Sequence, residues 1–280
     1  MKKRFAVIGY PLKHTMSPFI HNRMFRLNGL EGEYDAILTP PEKLNETVAL
    51  LREYDGFNIT IPHKESMLSL VDELSDSAVT YGAVNTVANK NGRFIGYSTD
   101  AEGFASALEV ENIPLSGKVL ILGCGGVSRT IATECLLRGC EVTLAARKQS
   151  MHKAFALSDD FKKNLNKNTS CIAIQDIRES YDLVINGTPI GMYPNMEESV
   201  LNEAQLKNVK YLFDSVYNPE NTALVRLARS LGIKAVSGMG MLVMQAAKAQ
   251  EHWYGATFKK DAIKQLIADS NDEMRRIFSE

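Results

Sequence analysis

Residues 120–132 read L-I-L-G-C-G-G-V-S-R-T-I-A, and this stretch decides the architecture. An apolar run without alternation enters a glycine-rich turn, and small and apolar residues then recur at helical spacing. Gly123 and Gly125 stand at the first two glycine positions of a dinucleotide-binding turn, and Ser128 takes the third, where a small residue is enough. Such a turn needs a tight bend, a backbone that lets a pyrophosphate come close, and a helix N-terminus aimed at it. Gly126 and Val127 complete the candidate phosphate-binding turn. A glycine turn used only for close packing is the alternative.

Outward from this motif the second half keeps one rhythm. K-V-L-I-L-G, E-V-T-L-A-A, C-I-A-I, Y-D-L-V-I-N and Y-L-F-D-S-V are short apolar runs separated by helical or loop stretches. Runs apolar on both faces imply a parallel sheet covered by helices on both sides. The second strand ends in A-A-R-K, where an NAD site usually carries an acid for the adenosine ribose. Arg147 and Lys148 stand there instead. An arginine can hold a 2′-phosphate through its planar fork, so the reading leans to NADP, with NAD as the weaker alternative. A solvated basic loop is the bland reading of the same residues.

The first half alternates strands and helices: R-F-A-V-I-G, a helix over about 17–27, E-Y-D-A-I-L, and a second helix in E-K-L-N-E-T-V-A-L-L-R-E-Y. G-F-N-I-T-I-P-H-K (56–64) follows as a strand with Phe57, Ile59 and Ile61 on an oily face and Asn58 and Thr60 opposite, ended by Pro62. Asn91-Gly92 marks a hairpin. Residues after Gly238 turn helical and are expected to pack back on the first domain. The fold expected is α/β with two domains. A substrate domain spans residues 1–100 with C-terminal helices over 239–280, and a Rossmann-like NADP-binding domain spans 101–238.

Composition narrows the class. The 280 residues are 45% hydrophobic and 23% charged with a net charge of −1, which suits a globular protein and not one built to neutralise nucleic acid. No apolar run reaches the roughly 18 residues of a membrane span, and Pro11 and Lys13 cut the first one too short for a signal peptide. The four cysteines lack the CxxC spacing of a zinc site and point to no disulfide framework, so a reducing cytoplasm and no metal are expected.

The polar residues of the first half must name the reaction: Thr15 and Ser17, Asn58 and Thr60 with Lys64, Asn85 and Thr86, Asp100, and later Gln245. Singly, each has a plainer reading. Ser17 before Pro18 reads as a helix N-cap, Asp100 as a cap of the helix after it, and Gln245 as a surface residue.

In order along the chain, however, stand G-Y-P-L-K-H-T-M-S-P, N-I-T-I-P-H-K, G-A-V-N-T, G-Y-S-T-D, G-C-G-G-V-S-R, N-G-T-P-I-G-M, V-Y-N-P and G-M-G-M-L-V-M-Q-A-A. This ordered set resembles the shikimate dehydrogenase family. The resemblance implies reversible, NADPH-dependent reduction of 3-dehydroshikimate to shikimate, in the biosynthesis of aromatic amino acids through chorismate. It implies Lys64 and Asp100 as the catalytic pair, with Thr15 and Ser17 at the substrate carboxylate. Asn58, Thr60, Asn85 and Gln245 would line the ring, with Tyr217 near the carboxylate. Thr188 and Gly238 join the cofactor set through their motifs. A quinate or dual-specific relative, and a silent ligand-sensing module on the same fold, are the alternatives; a homodimer is left open. Four positions depart from the family's usual residues. Thr15 replaces serine and Ser98 replaces asparagine, while Ala146 and Lys148 replace the asparagine and threonine around Arg147.

Overall fold

Residues 2–12 and 15–278 are described by the computed structural model; Lys13 and His14 of the G-Y-P-L-K-H-T-M-S-P motif lie outside the described residues. Two compact units divide the chain: residues 1–103 with 243–272, and residues 104–242 with 273–280.

In chain order the first unit contains β1 (Lys3–Gly9), α1 (Ser17–Leu27), β2 (Gly32–Leu38), α2 (Leu44–Leu50), β3 (Gly56–Ile59), β4 (Glu73–Leu74), α3 (Asp76–Tyr81), β5 (Thr86–Lys90) and β6 (Arg93–Tyr97). It also holds the start of α4 (Asp100–Val110). The sheet runs β2-β1-β3-β5-β6-β4, with β1 parallel to β2 and β3, and β5 antiparallel to β3 and β6. Asn91 and Gly92 join β5 to β6 with φ of 57° and 86°, the doubly left-handed turn that matches strand twist.

Period two decides which face each residue of β3 takes. Phe57 and Ile59 enter a cluster with Ala6, Ile8, Val84 and Phe94, while Asn58 faces the other side. Ile61 does not join them: it is 64% exposed, because the strand stops at Ile59 and the chain turns at Thr60. The opposite face of the sheet, with Phe5, Val7 and Tyr34, is covered by a late helix, α9 (Met239–Tyr254), through Ala249 and Trp253. Trp253 stacks on Phe5 with ring centroids 4.4 Å apart and donates its indole N–H to the Val87 carbonyl at 2.9 Å. Gly56 makes this possible, since a Cβ there would overlap the indole nitrogen.

Helix α1 corrects one expectation. Met16, not Ser17, occupies the N-cap, and Ser17 is the first helical residue with Pro18 beside it. Thr15 takes the local bonding role instead, its hydroxyl oxygen accepting from the Ser17 N–H at 3.3 Å.

The second unit contains the rest of α4, then β7 (Lys118–Leu122), α5 (Gly126–Leu137), β8 (Glu141–Ala146), α6 (Met151–Leu165), β9 (Ser170–Ala173), β10 (Tyr181–Asn186), α7 (Glu203–Leu206), β11 (Val209–Asp214), α8 (Ala223–Ser230) and β12 (Lys234–Val236). The chain ends through α9 and α10 (Lys260–Phe278). The sheet order β12-β11-β10-β7-β8-β9 is parallel throughout, the doubly wound arrangement. Val119, Leu120, Ile121 and Leu122 are all fully buried, as a strand covered on both faces requires.

His21 shows how dry the covered face is. It stacks on Tyr34 at 4.3 Å with the rings 7° from parallel, and its Nδ1 faces the Gln250 amide nitrogen at 3.1 Å. Burial lowers its pKa from 6.5 to about 3, against a smaller opposing effect of hydrogen bonding to Asn58. Below pH 6.5 the unfolded chain therefore binds a proton that the folded protein refuses. His21 leaves stability intact above about pH 6.5 and erodes it as pH falls toward 3. At about 1.4 kcal/mol per pKa unit the full effect is on the order of 5 kcal/mol. Urea unfolding at stepped pH should show this slope in wild type and its loss in His21→Phe, which keeps the ring stack.

Candidate functional site

Lys64 follows the turn after β3, where the His63 N–H donates to the Thr60 carbonyl at 3.1 Å. Its own carbonyl accepts from the Val84 N–H at 2.9 Å, which ties the residue to the segment leading into Asn85. The ammonium reaches Asp100, the first residue of α4, with Nζ 2.6 Å from Oδ2. Their side chains are 27% and 12% exposed, so the pair is sheltered yet open to a ligand.

From Asp100 the bonding continues inward. Its Oδ1 accepts from the Asn85 Nδ2 at 2.9 Å. Asn85 Oδ1 accepts from the Thr99 N–H at 2.8 Å and from the hydroxyls of Thr99 and Thr86, each at 3.2 Å. Thr86 Oγ1 accepts from Asn58 Nδ2 at 3.0 Å, and Asn58 Oδ1 accepts from the Tyr34 hydroxyl at 2.6 Å. Asn58 Nδ2 also reaches the Asn85 carbonyl at 3.3 Å, the longest and most readily displaced of its bonds.

Gln245 belongs to the same group. It is half-buried on α9, and its Oε1 lies 3.4 Å from Asn85 Nδ2. Gly103 lets α4 approach it, since a Cβ there would stand 2.9 Å from the Gln245 backbone nitrogen. The hydroxyl of half-buried Thr60 makes no hydrogen bond to another described residue, and Thr15 keeps its own proton to donate. The structure thus brings Lys64, Asp100, Asn58, Asn85 and Gln245 into one bonded group, while Ser17 stands at the start of α1. Ser98, just before this group, has a buried hydroxyl with no partner among the described residues.

The dinucleotide-type residues lie in the second unit. Gly123 has φ +98°, and a Cβ there would come within 2.8 Å of the Thr188 methyl. Gly125 caps α5, and Gly125, Gly126 and Val127 are exposed, with open space around both glycines. Ser128 is buried, its hydroxyl 3.4 Å from the Gly187 carbonyl, and neither position has room for a larger residue. An open helix N-terminus edged by bare glycine backbone fits the pyrophosphate of a dinucleotide. Arg147 and Lys148 are exposed beyond β8. Arg147 lines a cavity of about 460 Å³ with Ile174, Gln175, Arg178 and Gln205, and no acidic side chain among the described residues borders it.

Thr188 is held by Asn186, whose Oδ1 accepts from the Thr188 N–H at 3.0 Å and from its hydroxyl at 2.7 Å. Asn186 is held in turn by Asp214, whose Oδ1 accepts from Asn186 Nδ2 at 2.9 Å and the Val216 N–H at 3.0 Å. Asp214 Oδ2 accepts from the Thr222 hydroxyl at 2.7 Å. Burial pushes this carboxyl up to about 6, while the three bonds pull the other way. Tyr217 is half-buried in the loop that Asp214 anchors, and burial raises its phenol. Gly238 passes so close to the Ser215 carbonyl that no side chain fits.

Sequence reasoning missed Tyr34, His21, Asn186 and Asp214. Asp214 had a usable signal: a carboxylate inside the apolar run Y-L-F-D-S-V must be bonded or fail to fold.

A family model described as the shikimate dehydrogenase substrate binding domain matches residues 7–87. A shikimate dehydrogenase (NADP(+)) of Geobacillus sp. is 37% identical over 279 residues, 96% of this chain and 99% of that one. One from Caldanaerobacter subterraneus subsp. tengcongensis is 35% identical over 270 residues, 95% of this chain and 96% of that one. The crystal structure of shikimate 5-dehydrogenase from Thermus thermophilus in complex with NADP(H) and shikimate superposes with a TM-score of 0.86 at 34% identity. The match covers 96% of this chain and 99% of that one.

The Asp214 cluster yields a stability test. Asp214→Ala strands three donors, Asn186 Nδ2, the Val216 N–H and the Thr222 hydroxyl, at about 1–3 kcal/mol each where no water replaces the carboxylate. The expected loss exceeds about 3 kcal/mol in urea unfolding. A cost near that of an ordinary surface substitution, about 0.5 kcal/mol, would mean the carboxylate does not hold the two loops.

Proposed function

The chain belongs to the shikimate dehydrogenase family, and on that premise we propose the role of each site residue. The activity is the reversible, NADPH-dependent reduction of 3-dehydroshikimate to shikimate. The observation that carries the assignment of roles is the 2.6 Å pair of Lys64 and Asp100. It heads a group of neutral amides and hydroxyls, the chemistry that suits a ring of hydroxyl groups. A buried polyol site discriminates because any analogue that fails to match leaves its donors and acceptors unpaired.

When bound, NADPH supplies the hydride. Negative charge then develops on the ketone oxygen of the substrate. Lys64 Nζ stabilises that charge and passes a proton to the oxygen, and Asp100 holds the ammonium in place. In the oxidation direction the same nitrogen takes the proton back. Thr15 and Ser17 donate to the substrate carboxylate, and Thr60, Asn85 and Gln245 bond the ring hydroxyls. Tyr217 adds a hydroxyl for the carboxylate. The exposed first turn of α5 suits the cofactor pyrophosphate, and Arg147 suits its 2′-phosphate. No helix among the described residues is long and apolar enough to cross a membrane, and all four cysteines are free thiols, which suits a reducing cytoplasm.

Two measurements test these assignments. Lys64→Ala should lower kcat for shikimate oxidation by about 10² to 10⁴, the usual worth of a positioned acid, with NADPH binding by fluorescence barely changed. Near-normal turnover would remove Lys64 from the chemistry. Arg147→Ala should weaken NADPH binding by about 1.5–3 kcal/mol and leave NADH almost untouched, with Arg147→Ala/Lys148→Ala the stricter version. Equal losses for both cofactors would assign the arginine to the fold.

A further inference from the structure

Thr86 stands directly opposite Asn58 in the antiparallel pairing of β5 with β3, so their side chains share one face of the sheet. Thr86 is fully buried, yet its hydroxyl touches two amides of the site. Its Oγ1 accepts from Asn58 Nδ2 at 3.0 Å and donates to Asn85 Oδ1 at 3.2 Å, with the Thr99 hydroxyl 3.4 Å away. Each amide nitrogen carries one short bond and one long one. Asn58 Nδ2 has Thr86 Oγ1 at 3.0 Å and the Asn85 carbonyl at 3.3 Å. Asn85 Nδ2 has Asp100 Oδ1 at 2.9 Å and Gln245 Oε1 at 3.4 Å. A substrate oxygen would replace the long bonds and leave the short ones standing. The Asn85 carbonyl loses little by that exchange, because it also accepts from the Ile59 N–H at 2.8 Å. Both amides are thus set to offer an N–H, not a carbonyl oxygen, to an oxygen on the ring.

The two amides differ in how they are secured. Asn85 Oδ1 also accepts from the Thr99 N–H at 2.8 Å and the Thr99 hydroxyl at 3.2 Å, so Asn85 keeps its direction without Thr86. The Asn58 nitrogen relies on Thr86 as the shorter of its two partners. At the other end of the same amide, the Tyr34 hydroxyl lies 2.6 Å from Oδ1, but a phenol donates to an oxygen or accepts from an N–H by turning its proton. Thr86 is less free. Its one proton goes to Asn85 Oδ1, which leaves it an acceptor toward Asn58.

We propose that Thr86 is a positioning residue of the substrate site: its hydroxyl holds the Asn58 amide so that the second N–H is offered to a ring oxygen of the substrate. This rests on the reading of Asn58 as a residue that lines the ring. Thr86 itself meets no substrate atom. Because Asn85 is secured by Thr99 and still bonds Asp100, the effect of Thr86 falls on substrate binding and leaves the Lys64–Asp100 pair in place.

Thr86→Val is the direct test, because it removes the hydroxyl and keeps the branched shape. KM for shikimate should rise about 3- to 10-fold, the net worth of one hydrogen bond, with kcat and NADPH affinity within about twofold of wild type. Thr86→Ser, which restores the hydroxyl, should bring KM back to within about twofold. Should Thr86→Val not fold, Thr86→Cys takes its place with the same rise expected, since a thiol fills the position but bonds weakly. The decisive readout is a double-mutant cycle with Asn58→Ala, in whose background the loss of the Thr86 hydroxyl should cost less than about twofold. An undiminished effect there, an unchanged KM, a serine variant as impaired as the valine one, or a fall in kcat with KM constant would each overturn the inference and leave the dehydrogenase reading intact. Wild-type protein that turns over shikimate normally, with Asn58→Ala showing no rise in KM, would remove Asn58 from the ring site and the inference with it. Protein that oxidises no shikimate at all would overturn the reading on which both depend.

Discussion

A carboxylate bonded to an ammonium can only accept hydrogen bonds, and that constraint at Asp100 orders the polar interior of the first unit. Every amide and hydroxyl from Asn85 to Tyr34 has two orientations of similar shape, and in isolation each could take either. With one end fixed as an acceptor, the choice at Asn85 decides Thr86, then Asn58, then Tyr34. A single charged pair so presets the donor and acceptor sequence of a surface made almost wholly of neutral groups. Reversing one amide would set donor against donor at its neighbour, which costs far more in a dry setting than in water.

Neutral groups are required here for the same reason. The face behind Asn58 is dry enough to hold His21 as a neutral ring and to raise the Tyr34 phenol well above its ordinary range. A lysine or glutamate at Asn58 would bring an unpaired charge into that environment, with a penalty no single hydrogen bond repays. Asparagine and threonine supply direction without charge. That answers why a strand whose other face is wholly apolar carries Asn58 and is followed by Thr60, where a solvent-facing strand would tolerate longer charged side chains.

The second unit was legible because its signals are local. Apolar runs on both faces and glycines at a strand-to-helix turn are properties of a dozen adjacent residues, and they fixed the order and direction of β7, α5 and β8. The first unit was legible in its elements but not in its pairings. Tyr34 and Asn58 are 24 positions apart, and Asn85 and Gln245 are 160 apart. No periodicity records such meetings; motif order suggested which residues belong together without saying what bonds them. Ile61 failed for a smaller reason: alternation was carried two residues past the point where the strand ends. Ser17 failed because proline at the first turn is compatible with either register, and the Thr15 hydroxyl decided it. β12, three residues long, and β4, two residues long, carry too few side chains to show a period.

Two of the buried carboxylates, Asp214 and Asp100, separate a site from a scaffold. Asp214 receives three neutral donors and no cation, and burial drives it toward the protonated form at about 6. It is fully enclosed, and everything it holds is its own chain: the loop at Asn186–Thr188 and the loop through Val216. Asp100 has one neutral donor and one cation, and the cation's side chain is 27% exposed. Had the first unit needed only rigidity, a second neutral donor in place of Lys64 would have served, as Thr222 serves Asp214, without the desolvation that an ammonium brings. A charge kept at a partly open position, against that cost, is useful only if something arrives there on which negative charge develops.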